Sequence, residues 1–527
     1  MTPMQRPPPN HSWWQRLRQR LPGRSADVIV ATIGAGARDV VVGKNILRIG
    51  TLVVPALPVV IALVAALLSA TLGLWLYLVP ATMPPGYVNI AIAQFGRVDA
   101  DGRMHTSADT DLIGRTLFAT VRDEVRRLAP DYYGQVWHDS MGLLEKRTTI
   151  GMAVGATAQD RWQDACARAT AVGAQIIVYG ELDTRPSPAL LRLSLCEHNP
   201  NRERDMGNFA ELQRFDRLGG PLPVVLPLSD VQGSVNAPLR VRTTLVAKLI
   251  VGLRYELADA PSYIANLRKA LGVFNDALAY LGAEEGAATA DNGGDLVYYL
   301  IGREHFLLFQ DAATPANERA GQLDMARAAL ERALALNPRY ARALTTLGGV
   351  YFHLAQQRTP ELRTQSPELG QALTTYQAAV AAAQASADQA AEAEARLALA
   401  LAYRLQAEGL LAQATPDLPA AEAALGAADR AAQAADQLIL PEQNRFRGVA
   451  AMVHGLIAHQ RAQMLARTSG QAPAARAMFQ QAVDAYRQCI AASQADPGDL
   501  FLKRQIVDVT CGPRAESAAA ALARMTQ

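Results

Sequence analysis

The residues able to do chemistry in this chain are few and poorly spaced for it. It carries eight histidines, and the closest pair, His454 and His459, lie five residues apart. On a helix that separation turns the rings roughly 140° from one another, whereas a zinc site of the HExxH kind needs four residues and one face. Asp99-Ala-Asp101-Gly102 has the opening of a calcium loop. The stretch from Met104 to Asp111 lacks the remaining oxygen ligands and the bidentate glutamate of an EF-hand, so a plain turn is expected. Ser140-Met-Gly has no GxSxG elbow to expose a nucleophile. Gly43-Lys44 would cradle a phosphate only with a glycine five residues before Gly43 and Ser or Thr after Lys44, and Arg38 and Asn45 stand there. The register of Gly34 and Gly36 puts Asp39 where a dinucleotide fingerprint needs its third glycine. No catalytic, metal-binding or cofactor-binding residue is expected, and the chain does not read as an enzyme.

The four cysteines, Cys166, Cys196, Cys489 and Cys511, are too scattered for a disulfide scaffold or a CxxC centre. They read as buried free thiols, with two long-range disulfides as the alternative. The composition, 50% hydrophobic and 19% charged, is that of a folded protein, and 527 residues suggest about three units. A formal charge of +2 gives no electrostatic reason to expect nucleic acid.

Local charge is more informative. Residues 1–48 hold eight Lys/Arg against Asp27 and Asp39 only, and 49–79 hold no charge at all. The densest part, Val60 to Leu78, has the roughly 20 apolar residues that span a bilayer core. Pro55 and Pro58 stand near its start and Trp75 and Tyr77 at its far end, where amphipathic rings favour the interface. We expect a basic cytoplasmic tail over 1–48, containing a β-prone hairpin or linker over 28–50, then an uncleaved transmembrane helix over 49–79. The positive-inside rule places everything after residue 80 outside the cytoplasm.

Over 87–235 the pattern is α/β. Val88, Ile90 and Ile92 alternate in an opening strand that runs to Phe95, and a helix follows, starting near Ser107 or Asp109 and stopped by Pro130. Gln135 to His138 reads as a second strand. Thr157 to Val172 is a helix with Trp162, Ala165, Cys166 and Ala169 on one face, ended by Gly173. Ile176 to Leu182 and Leu190 to Cys196 are further strands. The order of elements, with Ala169, Gly173, Ala174, Ile177, Val178, Tyr179 and Gly180, resembles the TolB N-terminal-like domain. The resemblance implies a non-catalytic α/β module of a bacterial envelope, of a kind that recurs between a membrane helix and helical repeats in some sensory proteins. On this reading the cytoplasmic side is expected to be about 48 residues, without the cyclase or winged-helix output domain of such sensory proteins.

From 239 to 527 a small residue, a bulky one four later and a small one three later recur: Ala270-Phe274-Ala277, Ala326-Leu330-Ala333, Ala372-Tyr376-Ala379, Ala421-Leu425-Ala428 and Ala475-Phe479-Ala482. Small side chains let helices approach while the large one fills the gap. With Leu344, Leu347, Gly348 and Tyr351 after Asn337-Pro338, the pattern resembles the tetratricopeptide (TPR) repeat family. The steps of 56, 46, 49 and 54 residues exceed the usual 34, which predicts lengthened loops such as Arg358 to Leu369. Arg342, Thr345, Thr346 and His353 are the polar candidates on the best-matched first helix, read as a solvated face.

The fold class expected is therefore α-rich: one transmembrane helix, a small α/β sheet module and a TPR-like α-solenoid. The function expected is a membrane-anchored scaffold or assembly factor binding a protein or peptide. The alternative is an envelope sensor or transport component taking its ligand in the α/β module.

Overall fold

The computed structural model describes residues 82–84, 88–128, 134–139, 150–198, 212–215, 218, 220–228, 237–257, 263–311, 314–440, 443–496 and 502–525, with shorter stretches between 29 and 71. The chain divides into two compact units, Met1–Pro80 and Ala81–Gln527.

In the first unit, strands β1 (Ile29–Ala31), β2 (Val40–Gly43), β3 (Ile46–Ile49) and β4 (Leu52–Val54) form an antiparallel sheet in sequential order. β-Branched residues, which pack well on a pleated surface, dominate these strands. The expectation of one helix over 49–79 is corrected at its start, because Leu52–Val54 pairs as a strand with β3. Residues 61–69 are helical, with Ile61, Leu63, Val64, Leu67 and Leu68 exposed. Among the described residues no helix is long and apolar enough to cross a membrane; residues 1–28 and 72–81, on which much of the tail and the rest of the span were read, lie outside them.

The second unit opens with a mixed sheet. Its elements are β5 (Ile90–Ile92), β6 (Gly96–Val98), β7 (Met104–His105), α1 (Ala108–Leu128), β8 (Val136–His138), α2 (Ala158–Val172), β9 (Ile176–Asp183), β10 (Ala189–His198), β11 (Leu212–Phe215) and β12 (Leu222–Val224). The main path runs β11-β10-β9-β5-β8, with β5 parallel to both β8 and β9 and β9 antiparallel to β10. Side chains alternate across the pleat. Ile90, Ile92, Val178 and Leu193 thus face Ile113, Leu117 and Val121 of α1, while Ala91, Ala93, Ile177 and Tyr179 face Trp162, Ala165 and Ala169 of α2. α2 begins at a reciprocal capping box, in which Thr157 Oγ1 accepts from Asp160 N at 3.1 Å and Asp160 Oδ2 accepts from Thr157 N at 2.9 Å. It ends at left-handed Gly173.

Ten helices then pack as five consecutive hairpins: α3 (Ala237–Leu257) with α4 (Tyr263–Glu285), α5 (Gly294–Gln310) with α6 (Ala316–Leu336), α7 (Ala341–Gln356) with α8 (Pro367–Ala385), α9 (Gln389–Ala412) with α10 (Leu418–Asp436), and α11 (Asn444–Ala466) with α12 (Ala472–Ala495). A π-helical segment, Leu502–Cys511, and α13 (Gly512–Arg524) pack on the last hairpin. Sheet and helices are not separately cored. One cluster runs from Ile90 and Leu117 through Leu245, Ile250 and Phe274 to Leu330 and Val350, and Tyr255 Oη donates to Leu128 O at 3.0 Å. A second cluster extends from Ala372 to Ala518.

Two expectations are corrected here. The added repeat length resides chiefly in the helices, up to 24 residues in α9 and α12; several connections, such as 386–388 and 413–417, are short. Alanine carries the lowest cost of helix extension, so an alanine-rich chain lengthens helices before loops. Arg358 to Leu369 is the exception, and even it forms a 3₁₀ turn at Pro360–Gln365. The cysteines are not free: Cys166 bonds Cys196, tying α2 to β10, and Cys489 bonds Cys511, tying α12 to the π-helical segment. The partners sit 30 and 22 residues apart, and only the packing of a helix on a distant strand or segment brings them together.

Candidate functional site

The residues singled out in the repeats do not converge on one place; they form the seams between helices. Ala270, Phe274 and Ala277 on α4, Ala326, Leu330 and Ala333 on α6, Ala372, Tyr376 and Ala379 on α8, Ala421, Leu425 and Ala428 on α10, and Ala475, Phe479 and Ala482 on α12 are all buried. Leu344, Leu347 and Gly348 of α7 are buried too, whereas Tyr351 is half-buried, its hydroxyl 3.3 Å from Glu331.

A recurrent contact explains the seams. A methyl group placed on Gly252, Gly302, Gly348 or Gly455, each on the first helix of a hairpin, would come within 2.2–2.7 Å of Phe274, Leu330, Tyr376 or Tyr486 on the second. No side chain larger than hydrogen fits there, so each glycine admits the bulky residue opposite. In the last hairpin the residue against the glycine is Tyr486, not Phe479. The triplet in register is therefore Ala482-Tyr486-Cys489, two turns after the one the sequence pattern selected. Val251-Gly252 followed by Tyr255, the same spacing as Leu347-Gly348 followed by Tyr351, was the available signal for the first hairpin.

Three of the four polar residues expected on a solvated face of α7, Arg342, Thr345 and Thr346, are buried, and the fourth, His353, is half-buried. Arg342 pairs with Asp388 at 3.3 Å, while the threonine hydroxyls donate to Ala341 O and Arg342 O, each at 3.0 Å. His353 sits among the rings of Phe306, Phe309 and Phe352. Burial there pushes its pKa down to about 4. Neighbouring hairpins cover this helix, so its polar groups must find partners inside the protein.

Other charged clusters are neutralised. Asp99 and Asp101 flank the β6–β7 hairpin turn, where Gly102 N donates to Asp99 O at 2.9 Å and Asp99 pairs with Arg97 at 3.2 Å. Glu181 and Asp183 on β9 are held by Arg192 and Arg185, each at 2.8 Å. His454 bonds Asp436 at 2.8 Å, across the helix from His459. Burial disfavours its charged form, but the Asp436 hydrogen bond and the charges of Asp436 and Asp429 prevail and raise its pKa.

Among the described residues, one cleft is lined by several polar groups. It has a volume of about 350 Å³ and is lined mainly by the first helices of the last two hairpins: Arg404, Glu408, Leu411 and Ala412 from α9, and Leu456, His459, Gln460, Gln463 and Met464 from α11, with Arg467 just beyond. Pro360, Tyr486 and Arg514 close it from the 3₁₀ turn, α12 and α13. This size lies within the range of small-molecule sites. Arg404 donates to Gln460 Oε1 at 3.2 Å and to Glu408 at 3.4 Å, and Glu408 is also paired with Arg363 at 2.6 Å.

Three residues lining this cleft each carry a buried atom with no hydrogen-bond partner: Arg404 Nε, His459 Nδ1 and Tyr486 Oη. Tyr486 is fully buried and His459 is 3% exposed. Burial, opposed by the charges of Arg514 and Arg404, holds the Tyr486 hydroxyl protonated; burial and Arg514 push the His459 pKa down, keeping the ring neutral. The cleft unites residues from Pro360 to Arg514, and no local pattern in the sequence marks them. Compared with known proteins, the chain matches no family model and no curated protein.

Proposed function

We propose that this protein is a membrane-anchored interaction scaffold whose TPR-like hairpins bind a protein or peptide partner outside the cytoplasm. The observation that carries this reading is the repeated contact between a first-helix glycine and a second-helix bulky residue, in four of the five hairpins. Stacked hairpins bury their faces against each other, and arrays of this kind bind partners on an extended concave surface.

Two features support the setting. The disulfides Cys166–Cys196 and Cys489–Cys511 fit an oxidising compartment. The helix at 61–69 presents Ile61, Leu63, Val64, Leu67 and Leu68 outward, as a segment of a lipid-embedded span over Val60 to Leu78 would. In this reading the sheet module is a TolB N-terminal-like spacer, and two carboxylates on its sheet, Glu181 and Asp183, are paired with arginines.

The test is photo-crosslinking in intact cells, with a reactive side chain placed in turn at exposed Gln463 on α11 and at Arg115 on α1. Adducts to the same envelope protein from Gln463 alone support the scaffold. Adducts from Arg115 alone would move the function to the α/β module, as a sensor. A C-terminal reporter active only outside the cytoplasm tests the topology, and silence would invert it.

A further inference from the structure

We propose that the cleft between the last two hairpins is a binding site for a small organic phosphate. Its dianionic head would be held by Arg404, Arg514 and the Tyr486 hydroxyl, with its carbon skeleton against Leu411, Leu456 and Met464. This inference stands apart from the scaffold reading, since it rests only on the groups that line the cleft.

The first argument is charge. Arg404, Arg467 and Arg514 line the cleft against a single carboxylate, Glu408, and that carboxylate is shared between Arg363 and Arg404. Among the described residues no carboxylate lies within ion-pair distance of Arg467 or Arg514. The surplus of two positive charges matches a phosphate dianion, and guanidinium is the side chain whose donor geometry best suits phosphate oxygens.

The second argument is hydrogen bonding. A buried donor without a partner costs roughly 1–3 kcal/mol, so protein interiors rarely keep one without cause. Here Arg404 Nε–H and the Tyr486 hydroxyl are both buried and unpaired, and both residues line the same cleft. An acceptor with several oxygens would satisfy both at once and leave others for Arg514. The third argument is shape. The walls come from five separate segments of chain, and the volume of about 350 Å³ leaves room for a carbon skeleton beside the anion.

The experiment is titration calorimetry of the full-length chain with phenyl phosphate, inorganic phosphate and benzoate as probes. Phenyl phosphate is expected to bind saturably, inorganic phosphate more weakly because it leaves the apolar wall empty, and benzoate at least tenfold more weakly because it carries one charge. Tyr486→Phe removes one hydroxyl and keeps the ring against Gly455; it should weaken phenyl phosphate about tenfold, in line with a hydrogen bond to a charged group. Arg514→Gln, at an exposed position, should weaken it at least as much. Without ligand, Tyr486→Phe should melt no lower than the parent protein, since the hydroxyl it removes is unpaired. No binding of phenyl phosphate, benzoate binding as tightly, or affinity unchanged in both variants would each overturn the proposal. A fall in melting temperature for ligand-free Tyr486→Phe would do so as well, by showing that the hydroxyl already has a partner inside the protein.

Discussion

Gly348 on α7 lies so close to Tyr376 on α8 that a methyl group on the glycine would stand 2.6 Å from the ring. The two residues are 28 positions apart, and Gly455 and Tyr486 repeat the relationship in the last hairpin, at 2.5 Å. Helix packing across these seams is set by which side chain is missing as much as by which is present.

Gly348→Ala and Gly455→Ala should therefore destabilise the protein, by about 1–3 kcal/mol each, the usual cost of overpacking a tight interface. Gly272→Ala is the contrast. It lies in helix α4 with nothing within 4 Å of the added methyl, so it should gain up to about 1 kcal/mol from helix propensity. Chemical denaturation of the three variants reads the difference in sign directly.

Arg303 and Glu256 form a pair whose side chains are 2% and 3% exposed, joined by bonds of 2.6 and 2.5 Å. Arg303→Met should cost about 3–5 kcal/mol by leaving the carboxylate buried without its cation. Adding Glu256→Gln should recover much of that loss, and a double-mutant cycle with no coupling would show that the pair acts independently.

The Cys489–Cys511 bond closes a loop with a sequence separation of 22. Replacing both with alanine should lower stability by about 3 kcal/mol. Protein unfolded without reductant should expose no reactive thiol; thiol titration finding four would exclude both bridges.

Two histidines should move stability with pH in opposite senses. His353 has its pKa near 4 in the fold against 6.5 for the free group. Between those values the unfolded chain binds the extra proton, so this histidine makes stability fall as pH drops from 6.5 towards 4. His353→Phe should flatten that slope in denaturation midpoints measured across the range. His454 is raised above 6.5 by Asp436 and Asp429 against the opposing effect of burial. Its contribution is complete below pH 6.5 and is lost as pH rises through the folded value. The stability gap between the parent and His454→Gln should accordingly narrow on going alkaline.

Much of the secondary structure is determined within a few residues and was legible without the fold. Alternation at Ile90 and Ile92 marks a strand, Thr157 with Gly173 brackets a helix, and small-large-small triplets locate the second helices, because each signal is a matter of local period or capping. The tertiary structure decided what depends on distance between remote residues. It chose Tyr486 over Phe479 as the residue against Gly455, since two triplets seven residues apart have the same local pattern and only the opposing helix separates them. It buried Arg342, Thr345 and Thr346, which look solvated on one helix, under neighbouring hairpins. It joined Cys166 to Cys196 and Cys489 to Cys511. It also gathered Arg404, His459, Tyr486 and Arg514, from four separate elements, around one cleft. Periodicity is written along the chain, but pairing and enclosure arise only when packed elements bring distant groups within a few ångströms.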